Sequence, residues 1–60
     1  MPDQKLLSLA RELRARAEEV LARAETFHEV KAKEVMRQIA ANYVELAQRL
    51  EREAGWVDKT

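Results

Sequence analysis

No cysteine occurs among the 60 residues, so the chain can form no disulfide, and its single histidine leaves no Cys/His grouping for a structural zinc. A chain this short buries only about 60% of the surface that its unfolded form exposes. Small domains without such staples usually gain stability by oligomerisation. The sequence therefore predicts that the protein associates with a partner.

An excess of charge of one sign and long apolar runs are also absent. Eleven basic residues balance eleven acidic ones, so the overall field favours neither nucleic acid nor an anionic membrane. The longest apolar runs, such as residues 20–22 and 39–41, are far shorter than the roughly 20 residues of a membrane span. Residues 1–4 lack the features of a secretory signal, so we expect a cytoplasmic protein without membrane contact.

Glycine and proline are confined to Gly55 and Pro2, and good helix formers fill most positions between them. Apolar residues in the first half alternate four and three residues apart, which places them on one stripe of a helix. This stripe consists of Leu6, Ala10, Leu13, Ala17, Val20, Ala24 and Phe27. The same phase places mainly polar residues on the stripe beyond His28, so one straight helix is excluded.

A second apolar stripe with the same spacing begins after this break and consists of Ala32, Met36, Ile39, Tyr43, Leu46 and Leu50. We therefore predict an all-α fold, an antiparallel two-helix hairpin that forms a single domain over residues 1–60. Helix 1 is expected at about 4–26, the turn at about 27–29, helix 2 at about 30–54 and a tail at 55–60.

Several residue types indicate how the helices begin and reverse. Asp3 is expected to cap helix 1 with its carboxylate. His28 is our candidate for the reversal, because histidine is enriched at positive φ among residues other than glycine. Thr26 and Glu29 have capping-box spacing, while Glu29 could instead lie in the first turn of helix 2, so this start stays open within two residues.

The C-terminal end of helix 2 has a clearer signal. Gly55 is suited to the left-handed position that follows a helix. Trp56 could then fold back over Leu50, or it could contact another molecule, and we favour the first of these interpretations.

A turn at residue 28 predicts the register, because facing residues should have numbers that add up to about 56. Alanines of helix 1 would then face larger residues of helix 2, which fills space without voids. The expected pairs are Leu6 with Leu50, Ala10 with Leu46, Leu13 with Tyr43, Ala17 with Ile39, Val20 with Met36, and Ala24 with Ala32.

Further apolar residues flank these stripes, so each helix is apolar over a wider face than a two-stranded coiled coil requires. A homodimer that forms a four-helix bundle is the simplest assembly that would cover them. The candidate dimer interface consists of Leu7, Leu9, Leu21, Val35, Ala40, Val44 and Ala47.

The sequence contains no arrangement that indicates an enzyme. Glu25 and His28 match the Glu-x-x-His spacing of di-iron bundles, but Glu25 lies on the solvent side of its helix and no inward carboxylates accompany it. We predict no catalytic, cofactor-binding or metal-binding residues. The expected function is that of an interaction or adaptor module.

Nucleic-acid binding is the alternative function. Basic residues concentrate only near the turn, where they could contact phosphates of RNA. Glutamates at 25, 29 and 34 dilute this charge, whereas nucleic-acid domains usually present a face of one sign. The candidate residues for this alternative are Arg23, Lys31, Lys33 and Arg37.

Residues 24–26, 36–41, 43 and 46–51 resemble a pattern found in short uncharacterised helical proteins of rhizobium-type bacteria. The resemblance covers most of residues 6–54 and implies a two-helix protein without an assigned activity. Aspartate often begins helix 2 in that pattern, where Glu29 stands here. In size and hairpin form the chain is also similar to the Rop family of dimeric RNA-binding regulators, although no motif is shared.

Overall fold

The computed structural model describes residues 3–55, which form two α-helices, α1 at Gln4–Ala24 and α2 at Val30–Glu53. The two helices pack against each other. The predicted all-α fold with two contacting helices is therefore confirmed. Helix α1 ends two residues earlier than expected, and α2 ends one residue earlier.

Asp3 caps α1 and also ties it to the far end of the hairpin. Its carboxylate accepts hydrogen bonds from the backbone N–H groups of Lys5 at 3.0 Å and Leu6 at 3.4 Å, as predicted. Its own backbone N–H donates to the carbonyl of Ala54 at 3.2 Å. Because Ala54 caps the C-terminus of α2, this bond places the start of one helix beside the end of the other, so the helices are antiparallel.

Gly55 has the left-handed conformation that the sequence predicted, with φ at 78°. Its N–H donates to the carbonyl of Arg52 at 3.0 Å, which satisfies one of the free carbonyls at the end of α2. The predicted packing of Trp56 on Leu50 lies outside the described residues.

Thr26 completes the end of α1 instead of starting α2. Its hydroxyl donates to the carbonyl of Arg23 at 2.7 Å, and its backbone N–H donates to the same carbonyl at 3.0 Å. Because α2 begins at Val30 with Glu29 as its N-cap, the capping box of Thr26 with Glu29, one of the two alternatives left open by the sequence, does not form. Glu29 occupies the N-cap position of α2 without a side-chain hydrogen bond to the helix.

The chain reverses over residues 25–29 without the predicted left-handed residue. Within residues 3–55, Gly55 alone has a positive φ, so the conformation expected for His28 is wrong. The loop is longer than the three residues predicted, and Glu29 at its end is extended. A five-residue connection reverses the chain without the strain that a histidine would have at positive φ.

Alanines spaced seven residues apart form the seam between the helices. The backbone hydrogen bond between Asp3 and Ala54 fixes the register of the antiparallel helices. Seven residues further along α1 and seven residues back along α2, Ala10 lies level with Ala47, and a second such step brings Ala17 level with Ala40. All four are at most 2% exposed. Among the described residues every buried side chain is an alanine, and none larger is fully buried.

The seam lies one residue away from the predicted one on α2. Met36, Tyr43 and Leu50 are half-buried beside it, whereas Ile39 and Leu46, which were expected to face Ala17 and Ala10, are exposed. The predicted facing pairs of these two residues are therefore wrong. Alanine opposite alanine lets the helices approach closely, and this displaces the larger side chains to the flanks of the seam.

The alanine seam predicts that enlarging a seam residue destabilises the hairpin while enlarging a neighbour does not. Ala17→Leu and Ala47→Leu should each lower the free energy of unfolding by about 1 to 3 kcal/mol through overpacking. Ala15→Leu and Ala41→Leu, at exposed positions of the same helices, are matched controls with little expected effect. Urea unfolding followed by circular dichroism, at one protein concentration, measures all four. Equal stability of Ala47→Leu and Ala41→Leu would contradict the seam.

Candidate interaction faces

Nine of the half-buried or exposed large apolar residues lie on one broad side of the hairpin. A shallow groove on this side is lined by Val20 of α1 together with Met36 and Tyr43 of α2, which places these parts of the two helices on the same side. Residues three, four or seven positions from these share their side of each helix. We call this side the front face and define it as Leu6, Leu9, Leu13, Val20, Met36, Ile39, Tyr43, Leu46 and Leu50.

The front face is apolar but incompletely covered by the hairpin itself. Leu9 is 44% exposed and Leu46 is 45% exposed, and Ile39 is also exposed. The remaining front-face residues are half-buried. An exposed, continuous apolar patch of this kind is typical of a contact site for another protein surface.

The opposite side has a different chemistry. A groove there is lined by Leu7, Arg11 and Arg14 of α1 and by Glu51 of α2. Leu21 lies seven residues beyond Arg14 and Val44 lies seven residues before Glu51, so each is on the same side of its helix as that groove residue. We call this side the rear face and define it as Leu7, Arg11, Arg14, Leu21, Arg37, Val44 and Glu51.

An ion pair crosses the seam on the rear face. Arg14 Nε donates to Glu51 Oε2 and Arg14 Nη2 donates to Glu51 Oε1, each at 2.9 Å. This bidentate hydrogen bonding lowers the pKa of the Glu51 carboxyl, and the attraction of the guanidinium charge adds to the effect against a partial desolvation. The Arg14 side chain is 44% exposed, so the pair is screened by solvent and stabilises the hairpin only modestly.

The sequence analysis did not anticipate this pair. The signal was present, because Arg14 and Glu51 both lie beside an alanine row, at the flanking positions where coiled coils form interhelical ion pairs. Predicting the pair required the correct seam on α2, whereas the sequence pattern favoured the row with the larger residues Ile39 and Leu46.

The residues of the predicted dimer interface do not share one surface. Leu9 is on the front face, and the exposed Val35, four residues before Ile39, lies beside it. The rear face holds three others, Leu7, Leu21 and Val44. Ala40 and Ala47 are buried in the alanine seam, where they are 2% and 0% exposed.

The four basic residues proposed for nucleic-acid contact also fail to form one face. Lys31 and Lys33 are two residues apart and thus point about 160° away from each other around α2. Lys33 lies seven residues before Ala40, in the row of the seam, and is half-buried. Arg37 is on the rear face, while Arg23 lines the groove of the front face. The structure therefore offers phosphates no continuous basic surface from these residues.

Glu25 and His28 are both exposed in the region that connects the helices. Within the described part of the chain, no three metal-ligating side chains group together. Neither helix over these residues combines the length and apolar character that crossing a bilayer requires.

Comparison of the chain with protein-family models, with curated proteins and with solved structures finds no match.

The cross-helix ion pair predicts a pH-dependent contribution to stability. Because the folded-state pKa of Glu51 is lowered, the contribution is present above the unfolded value of about 4.3 and is lost as the pH falls through the folded value. Glu51→Gln should reduce the free energy of unfolding at about pH 7 by less than about 1 kcal/mol, and by less still near pH 3.

Glu34→Gln, at an exposed position of the same helix, is the control and should change little at either pH. Urea titrations of the three proteins at both pH values measure the difference. A Glu51→Gln effect that is the same at both pH values would show that the ion pair does not stabilise the hairpin.

Proposed function

We propose that this protein is a non-enzymatic helical interaction module that acts as a homodimer, in which two hairpins form a four-helix bundle. The observation that carries the proposal is the composition of the buried set, which over residues 3–55 contains only alanines. An alanine buries little apolar area, whereas each fully buried leucine contributes roughly 1.5 to 3 kcal/mol. In the hairpin alone, most of the free energy that burial of the large apolar side chains could contribute is therefore not gained.

The charge balance is compatible with self-association. The formal net charge of zero means that two copies approach without net repulsion. The chain also has no disulfide to stabilise an isolated hairpin. Pairing of two hairpins then provides the apolar core that one hairpin lacks, and the outer sides of the bundle would serve as the surface for other proteins.

The proposal predicts a dimer mass and a fold that depends on concentration. Sedimentation or light scattering at micromolar concentration should report about 14 kDa, twice the mass of one chain. Helicity measured by circular dichroism should decrease on dilution, because folding is coupled to association. A 7.0 kDa species that keeps its helicity on dilution would refute the homodimer.

A further inference from the structure

We infer that the front face is the surface on which a second copy of this chain docks, front face to front face, and that the rear face stays outside this interface. The inference rests on the proposed homodimer and specifies which of the two sides forms it. It replaces the interface expected from the sequence, which combined residues of both faces with buried alanines.

The front face has the chemistry of an interface core. Leu9, Ile39 and Leu46 are exposed there, and they adjoin the half-buried Leu13 and Tyr43. Arg16, Glu19 and Arg23 line the same groove as Val20, Met36 and Tyr43, so charged side chains border this apolar set. Interface cores are enriched in apolar and aromatic side chains and are surrounded by a polar rim, which matches this arrangement.

The edges of the front face have the chemistry of an interface rim. Leu46 lies beside Asn42, Glu45 and Arg49 on the outer side of α2. On α1, Arg16 and Glu19 line the groove that contains Val20. Both signs of charge occur at each edge, so two copies that meet here do not oppose one another with like-charged rims.

The rear face is unsuited to the same contact. Arg11 and the ion pair between Arg14 and Glu51 occupy its middle, between the apolar residues Leu7 and Leu21. Covering this side would remove the guanidinium groups from water, and the loss of hydration can exceed the gain from the ion pair. The front face has nine large apolar residues and the rear face has three, so the front face offers more apolar area to bury against a second copy.

The dimensions of the hairpin fit a second copy. Its Cα atoms extend over 45 × 18 × 12 Å, so the broad side covers on the order of 800 Å². This is the area that each partner contributes to a stable interface of standard size. A partner of the same length, in contact along the whole face, is thus sufficient for specific association.

Three leucines of nearly equal exposure allow a matched test. Leu46 and Leu9 on the front face are 45% and 44% exposed, and Leu21 on the rear face is 43% exposed. Leu46→Glu and Leu9→Glu should each raise the dimer dissociation constant at least tenfold, because a charge would be buried without a partner. Leu21→Glu should stay dimeric at the wild-type dissociation constant. Sedimentation equilibrium over a range of concentrations measures all four proteins.

A second measurement leaves the interface intact. Because the chain has no cysteine, single Leu46→Cys and Leu21→Cys variants each carry one thiol. Above the dissociation constant, a maleimide should label the thiol at position 46 several-fold more slowly than the thiol at position 21. On dilution below the dissociation constant the two labelling rates should converge. The labelling experiment does not depend on whether the glutamate variants fold.

The outcomes separate the two proposals. A wild-type protein that is monomeric at every concentration overturns the homodimer and this inference together. A dimeric wild type whose front-face and rear-face variants dissociate alike, or whose Leu21→Glu variant alone dissociates, overturns the choice of face and leaves the homodimer standing. Equal labelling of the two thiols in the dimer likewise overturns the choice of face.

Discussion

Close contact between alanines is the constraint on which the rest of this structure depends. Ala10 and Ala17 of α1 lie level with Ala47 and Ala40 of α2, and all four are buried. Small side chains on both helices bring the backbones close together. Every described buried side chain is an alanine, so the leucines, isoleucine and tyrosine that accompany the alanines lie at the flanks of the seam.

The sequence predicted the helices well because their signals are local and repeated. The stripe from Leu6 to Ala24, the cap at Asp3 and the end of α2 at Gly55 each depend on spacing or residue type alone. The seam on α2 was not predictable in this way, since the row with Ile39 and Leu46 and the row with Ala40 and Ala47 are both apolar. Burial energy per residue and the pairing of small with large side chains both favour the larger row, so these two rules pointed away from the row that is buried.

The connection between the helices shows the limit of single-residue signals. His28 and Thr26 have the types that turns and caps favour, yet the loop uses neither in the expected way. A connection of five residues has enough freedom to reverse the chain in several ways, so residue preferences decide less than they do in a tight turn. The interface predicted from the sequence combines residues of both faces for a related reason, because the side of the hairpin on which a flanking row lies depends on the seam.

The alanine seam also connects stability to association. The close contact that orders the hairpin leaves its large apolar side chains half-covered, so one structural choice produces both a slender hairpin and a continuous apolar front face. With larger residues in the seam, the helices would stand further apart and the hairpin would cover more of its own apolar surface. An alanine seam therefore favours a protein whose folding is completed by contact with a second surface, because the intramolecular interface alone removes too little apolar area from water.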